Sequence, residues 1–451
     1  MEARHCGLLP PGPFSGFFNV ARKPTGSNHH GNPIKRRGGK AVKGVYPQLF
    51  LAGPSPVLGP PQGLAYKAVM TTDSSLFDDG SAAEGKSAPR HSTGLLPSQS
   101  LRAMIAAHEI AASADIKDEQ IQPASIDLRL GNVAYRIRAS FLPGEGATVR
   151  DKLDGVVMHE IDLTRGAVLE TGCVYLVPLM EQVALPWRVS GTANAKSSTG
   201  RLDVFTRLVT DNARAFDTIP ERYRGPLWAE ISPRTFSVLV RTGSRLNQLR
   251  LRRGSPPMSD AALKRLQEEV GIVSGDATID KGIGFTIDLE GDQLTGLVGY
   301  RAKRHAGVID MDRVGAYDPA DFWDPVHTKK SRSIILDPGE FYILASREAV
   351  SIPPEFAAEM VPFDPLVGEF RVHYAGFFDP GFGFAGAGGA GARGVLEVRS
   401  HEVPFVLEHG QTVGRLMFER LTEPPQRLYG QGVGSNYQRQ GLALSKHFRR
   451  A

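Results

Sequence analysis

The chain has 451 residues, 41% of them hydrophobic, enough length and apolar content for two or three domains with sizeable cores. Its two cysteines, Cys6 and Cys173, exclude a disulfide framework and a four-thiolate metal site and fit a reducing cytoplasm, and no apolar run approaches the ~20 residues of a membrane span. The formal charge of +5 comes from residues 1–50, where eight Lys and Arg face one acid, Glu2; residues 51–451 carry −2, which excludes a basic nucleic-acid-binding face on the folded body.

Residues 1–94 are rich in Pro, Gly and Ser and lack any sustained period of 2 or 3.6, so a disordered extension is expected. Met70 offers an alternative start, which would make the upstream residues an over-long gene reading. Gly80–Ser87 formally matches a phosphate-binding loop. A working loop of that type follows a buried strand and opens a helix, whereas this one follows "TTDSSLFDD" and runs into Ala88-Pro89, so it is a chance match.

From about Gly94 the texture changes. "LPSQSLRAMIAAHEIAA" predicts one helix, and the short alternating stretches after it predict an all-β body. Two segments of that body match each other: Gly172 and Gly339, Tyr175 and Tyr342, Pro186 and Pro353, Glu230 and Glu397, and Gly243 and Gly410 are each 167 positions apart. The expectation is two copies of one β domain, over 95–254 and 306–425, joined by a charged link over 255–305 that contains "SPPMSDAALKRLQEEVG" and followed by a tail over 426–451. Each copy carries a glutamate within an apolar strand, Glu230 in "LWAEI" and Glu397 in "VLEV". Such a carboxyl is either the outward residue of an alternation or a buried acid with a raised pKa.

Lys196-Ser197-Ser198-Thr199-Gly200-Arg201 packs two cations and three hydroxyls into six positions. The ordinary reading is a polar turn; the sharper one is a phosphate site, since hydroxyls, backbone N–H groups and a guanidinium all bind anionic oxygens.

Taken together, "QPASIDLRLG" at 122–131, Lys196–Arg201, Phe216-Asp217, Tyr223-Arg224-Gly225, Ala229-Glu230, Phe378–Gly383, Leu396-Glu397 and the tail "LYGQGVGSNYQRQG" resemble the dCTP deaminases of the dUTPase-like superfamily, in a long two-lobed form. The resemblance spans about 95–451. It implies two distorted jelly-roll lobes, threefold assembly as a homo-oligomer, and zinc-independent hydrolysis of dCTP to dUTP and ammonia, with Mg²⁺ carried by the triphosphate and dTTP as a candidate inhibitor. A zinc deaminase needs a paired C-x-x-C, and Cys173 is the body's single cysteine.

By that resemblance Glu230 shuttles the proton, Ser197 and Arg201 hold the attacking water, Lys196, Ser198, Thr199 and Gly200 meet the phosphates, Asp217 binds the deoxyribose, Trp228 and Ala229 line the base, and Tyr429 and Gln440 cap the nucleotide. The pattern is split between the copies. The first breaks the Asp-Pro-Gly motif with "FDTIPERYRG"; the second keeps "FDPGFG" but has Asp364–Gly368 in place of the phosphate motif, and Asn436 replaces an expected tail lysine. A composite site is therefore the alternative, with Lys196–Arg201 facing Asp379 and Glu397, and the first copy's own set ranks above it. Competing activities are a dUTP diphosphatase, an enzyme performing both steps, and a catalytically inactive nucleotide-binding regulator.

Overall fold

Strands dominate the fold, as the period-two stretches of the sequence require; Val189–Ala195, for instance, alternates buried and half-buried residues along its whole length. The computed structural model describes residues 91–254, 257–276, 278–362, 370–373, 376–400, 402–431, 437–438 and 440–450. The extension to residue 90, Met70, the Gly80–Ser87 stretch, Asp364–Gly368 and Asn436 lie outside the described residues. Residues 91–94, assigned to the extension from sequence, are docked: His91 N–H donates to the Thr422 carbonyl and Gly94 pairs with Arg253.

The predicted helix forms over Ser98–Ala106 and buries Leu101 and Met104. It stops where His108 turns left-handed at φ 55°, so the rest of the predicted helical stretch becomes the strand Ile110–Ala112, paired with Val174–Ala184. The first half builds a five-stranded and a six-stranded sheet, the second a four-stranded and a five-stranded sheet. The stretch expected as a link, 255–305, does more than connect. It holds the helix Asp260–Val270, and its strands Ile283–Thr286 and Leu297–Ala302 belong to the second half's sheets.

The 167-residue offset reappears as strand register. In the first half Tyr175, Leu176 and Val177 face Ile231, Glu230 and Ala229; in the second Tyr342, Ile343 and Leu344 face Val398, Glu397 and Leu396. Each glutamate thus occupies the same place in an internal strand, with Arg207 as the partner beyond Glu230 and His373 beyond Glu397.

The first half's core continues into the second through Phe236, Trp323, Phe341 and the C-terminal Phe448. Phe236 meets Trp323 edge-on at 5.3 Å, and Phe448 lies 5.4 Å from Phe322 and 5.9 Å from Trp323. Ion pairs cross the same seam: Arg399 with Asp203, and Arg250 with Asp379 at 2.9 Å. Because Phe448 is 3% exposed, Phe448→Ala is expected to cost about 3–5 kcal/mol of stability, read by chemical denaturation. A loss below about 1 kcal/mol would show that the tail is not anchored by this ring.

Candidate active site

The strand Val189–Ala195 ends at Lys196, whose N–H is held by the Leu246 carbonyl at 2.9 Å. One helical turn follows over Ser197–Gly200, closed by Gly200 N–H to the Lys196 carbonyl and Arg201 N–H to the Ser197 carbonyl. This turn buries Ser198, Thr199 and the Arg201 guanidinium, and leaves Lys196 and Ser197 half-buried. Lys196 pairs with the buried Asp127 of the "SIDLRLG" strand.

The turn forms one wall of a cavity of about 700 Å³, and the second copy forms the other. Glu397, 4% exposed, enters from the strand Ala392–Ser400, and its Oε1 lies 3.9 Å from Nε of Arg201. That Nε is buried and has no hydrogen-bond partner among the described residues. A buried N–H facing a carboxylate across such a gap is a place for a water or a substrate atom. Burial pushes the Glu397 carboxyl up to about 8, against the opposing pull of the Arg201 charge.

Asp379 lines the same cavity, fixed by Arg250 at 2.9 Å, while Arg250 also donates to the carbonyls of Ala358 and Phe378. The glycines of "DPGFG" are dictated by geometry. Gly381 sits at φ 94°, and a Cβ there would lie 2.7 Å from Leu428 Cβ; a Cβ on Gly383, at φ 67°, would meet the Val350 carbonyl at 2.0 Å. That close approach seats the tail: Tyr429 N–H donates to the Pro380 carbonyl, and its ring packs 5.7 Å from Phe382.

The tail then crosses to the first copy. Arg201 donates to Gln440 Oε1 at 3.0 Å and to the Ala443 carbonyl at 3.1 Å, and its guanidinium lies 3.9 Å over the Tyr437 ring. Gln440 in turn donates to the Arg393 carbonyl on the second copy. Ser445 Oγ donates to the Ser198 carbonyl at 2.7 Å, and His447, whose burial lowers its pKa to about 4, contacts the Met311 carbonyl at 3.0 Å.

The cavity therefore unites Lys196, Ser197, Ser198 and Arg201 with Asp379, Glu397, Tyr429 and Gln440; Thr199 and Gly200 sit within the turn behind it. The first copy's acidic set, ranked first from the sequence, lies elsewhere in the structure. Glu230 accepts from Arg207 Nε at 3.1 Å and Arg207 is itself stacked on Phe216, 3.5 Å from its ring centre, so the carboxylate is capped by its own lobe. Asp217 is held at φ 60° by Leu208 N–H at 2.7 Å, with desolvation raising it to about 7. Trp228 packs on Tyr135 and under Arg150 in a separate small core, and Ala229 is buried in the main one. None of these four lines the cavity.

Residues that the sequence does not single out also line it. Asp127, Phe378 and Tyr437 stand inside quoted motifs; Arg245, set beside the turn by the Leu246–Lys196 bond within the first half, and Lys446, carried in by the tail, have no signal of their own.

Two family models match the chain. The model of the 2'-deoxycytidine 5'-triphosphate deaminase (DCD) N-terminal domain matches residues 92–255, and that of the C-terminal domain matches 259–448. The dCTP deaminase, dUMP-forming, of Beutenbergia cavernae is 30% identical over 151 residues, 32% of this chain and 74% of that protein. That of Mycolicibacterium gilvum is 33% identical over 150 residues, 31% of this chain and 75% of that protein. The crystal structure of 2'-deoxycytidine 5'-triphosphate deaminase from Agrobacterium tumefaciens is 57% identical, with a TM-score of 0.71 over 73% of this chain and 100% of that one. The chain belongs to the 2'-deoxycytidine 5'-triphosphate deaminase family.

Proposed function

We propose that one composite site per chain, made by the turn of the first copy and the acid of the second, carries the hydrolytic deamination of dCTP. The observation that carries this reading is the buried Glu397 carboxyl facing the unpartnered Arg201 Nε across 3.9 Å. Water held between Ser197, Arg201 and Glu397 adds to C4 of the cytosine ring. Glu397 takes one water proton and passes it to ring N3 as the water oxygen bonds to C4, then carries the proton of the new hydroxyl to the amine, so that the C4–N bond breaks, ammonia leaves and a C4 carbonyl remains. A carboxyl with pKa near neutrality suits both transfers. Asp379 holds the deoxyribose, Tyr429 and Gln440 close over the nucleotide, and Lys196 and Ser198 face the phosphates.

Mg²⁺ enters on the triphosphate, where it neutralises phosphate charge. The two halves are read as dUTPase-like jelly rolls that assemble further as a homo-oligomer. A cytoplasmic setting completes the proposal; among the described residues no helix is long and apolar enough to cross a membrane.

The released product is dUTP in this reading. A second reading, in which dUTP is carried on to dUMP, is favoured by the dUMP-forming relatives. Incubation with dCTP and Mg²⁺ followed by anion-exchange separation decides between them: dUTP with ammonia supports the first, dUMP with pyrophosphate the second. Unchanged dCTP would overturn both.

A further inference from the structure

Five cationic side chains line the cavity, and four of them have an acid partner within the protein. Lys196 pairs with Asp127, Arg201 lies 3.9 Å from Glu397, Arg245 is 3.3 Å from Glu119, and Arg427 is 3.2 Å from Asp118. Lys446 is the exception: among the described residues no carboxylate comes within ion-pair distance of its ammonium. The group is nevertheless half-buried; burial, with the charges of Lys196 and Arg245, pushes its pKa below the usual lysine value against the opposing pull of Asp127 and Asp312. A desolvated, unpaired cation among other cations is an unfavourable arrangement unless an anion joins it.

The backbone around it is pinned on both sides. Lys446 N–H donates to the Tyr437 hydroxyl at 3.1 Å and its carbonyl accepts from Gly315 at 3.0 Å. Ser445 is bonded to the Ser198 carbonyl, His447 to the Met311 carbonyl, and Phe448 is sunk in the aromatic seam. The tail thus holds the lysine against the Ser197–Gly200 turn, in the cavity lining that it shares with Lys196 and Arg245.

We propose that Lys446 is a specificity-determining residue that binds the polyphosphate end of the nucleotide, so that anchoring of the C-terminus and selection of a triphosphate are one device. This deepens the reading above and rests on it. The polyphosphate supplies the close ion pair that Asp127 and Asp312, acting from further away, do not, forming charge-assisted hydrogen bonds with the ammonium.

Calorimetric titration of inorganic tripolyphosphate, which needs no turnover, tests the site directly. Lys446→Met is expected to weaken tripolyphosphate about tenfold to a hundredfold and to raise KM for dCTP by a similar factor, the loss falling on KM rather than kcat. Inhibition by dCMP, which lacks the outer phosphates, is expected to change less than about threefold, and Lys446→Arg is expected to restore most of the tripolyphosphate affinity. Lys446→Gln, with thermal unfolding as the control, serves should the methionine variant misfold. The proposal is overturned if wild type does not bind tripolyphosphate, if both neutral variants bind it as wild type does, or if dCMP and dCTP weaken equally. Failure of the deaminase reading would appear separately, as intact dCTP beside measurable tripolyphosphate binding.

Discussion

Glu397→Gln is expected to lower kcat by about 10²–10⁴-fold, while Glu230→Gln leaves kcat within about twofold of wild type. The two glutamates occupy the same register position in duplicated strands, so their chemistry differs only through their surroundings. Glu230 is bonded through Oε1 to Arg207 of the adjacent strand, a cation that cannot give up its proton. Glu397 faces a cavity, and Arg201 Nε across from it has a hydrogen bond to spare. The pH profile provides a second check. The shuttle must begin as the carboxylate to accept the water proton, and burial raises its pKa to about 8 in the free protein. As pH falls below about 8, kcat/KM is therefore expected to drop about tenfold per unit, since kcat/KM reports the free enzyme. Stability should move the opposite way. Between the ordinary carboxyl range and pH 8 the native state binds this proton more tightly than the unfolded chain does, so unfolding free energy falls as pH rises through that window and levels off above it. Glu397→Gln removes this group's contribution to the slope. A Glu397→Gln enzyme with wild-type turnover, or a Glu230→Gln enzyme without turnover, would move the chemistry to the first copy.

Much of this site is legible in the motifs themselves. Lys196–Arg201, Asp379, Glu397, Tyr429 and Gln440 each stand in a short run whose residue types have a chemical reason, and the glycines of "DPGFG" advertise a backbone packed too closely for a side chain. Which copy's acid meets which copy's turn is not written in any such run. That is decided by the seam, where Phe236, Trp323 and Phe448 come together from positions as much as 212 apart, and no local pattern encodes their contact. The capping of Glu230 is hidden for a related reason. Arg207 lies 23 residues upstream, and only the pairing of its strand with Arg224–Pro233 brings the two side chains together. The strands Ile283–Thr286 and Leu297–Ala302 merge into the expected link because they are short and follow a charged helix, so their apolar alternation covers too few residues to stand out.

Arg201→Lys is expected to cost about 10²–10³-fold in kcat, although it keeps the positive charge. The guanidinium works in four directions at once. Nη1 and Nη2 hold the Ala443 carbonyl and Gln440, the planar face lies 3.9 Å over Tyr437, and Nε is left to the gap before Glu397. An ammonium is compact and strongly hydrated. It can replace one of these contacts but lacks the flat fork that makes them together. The substitution should therefore loosen the tail and misplace the water in the same step. Hydrogen exchange over residues 440–447 separates the two effects: faster exchange is expected in Arg201→Lys and also in Gln440→Ala, which removes the tail contact but leaves Nε in place. If Arg201→Lys exchanges faster and Gln440→Ala does so equally while retaining most of its turnover, the larger loss in the arginine variant belongs to the Nε–Glu397 gap. If Arg201→Lys turns over dCTP within about threefold of wild type, the gap is not where water is held. In the proposed composite site, this single side chain is the point at which the first copy's turn, the second copy's acid and the tail meet.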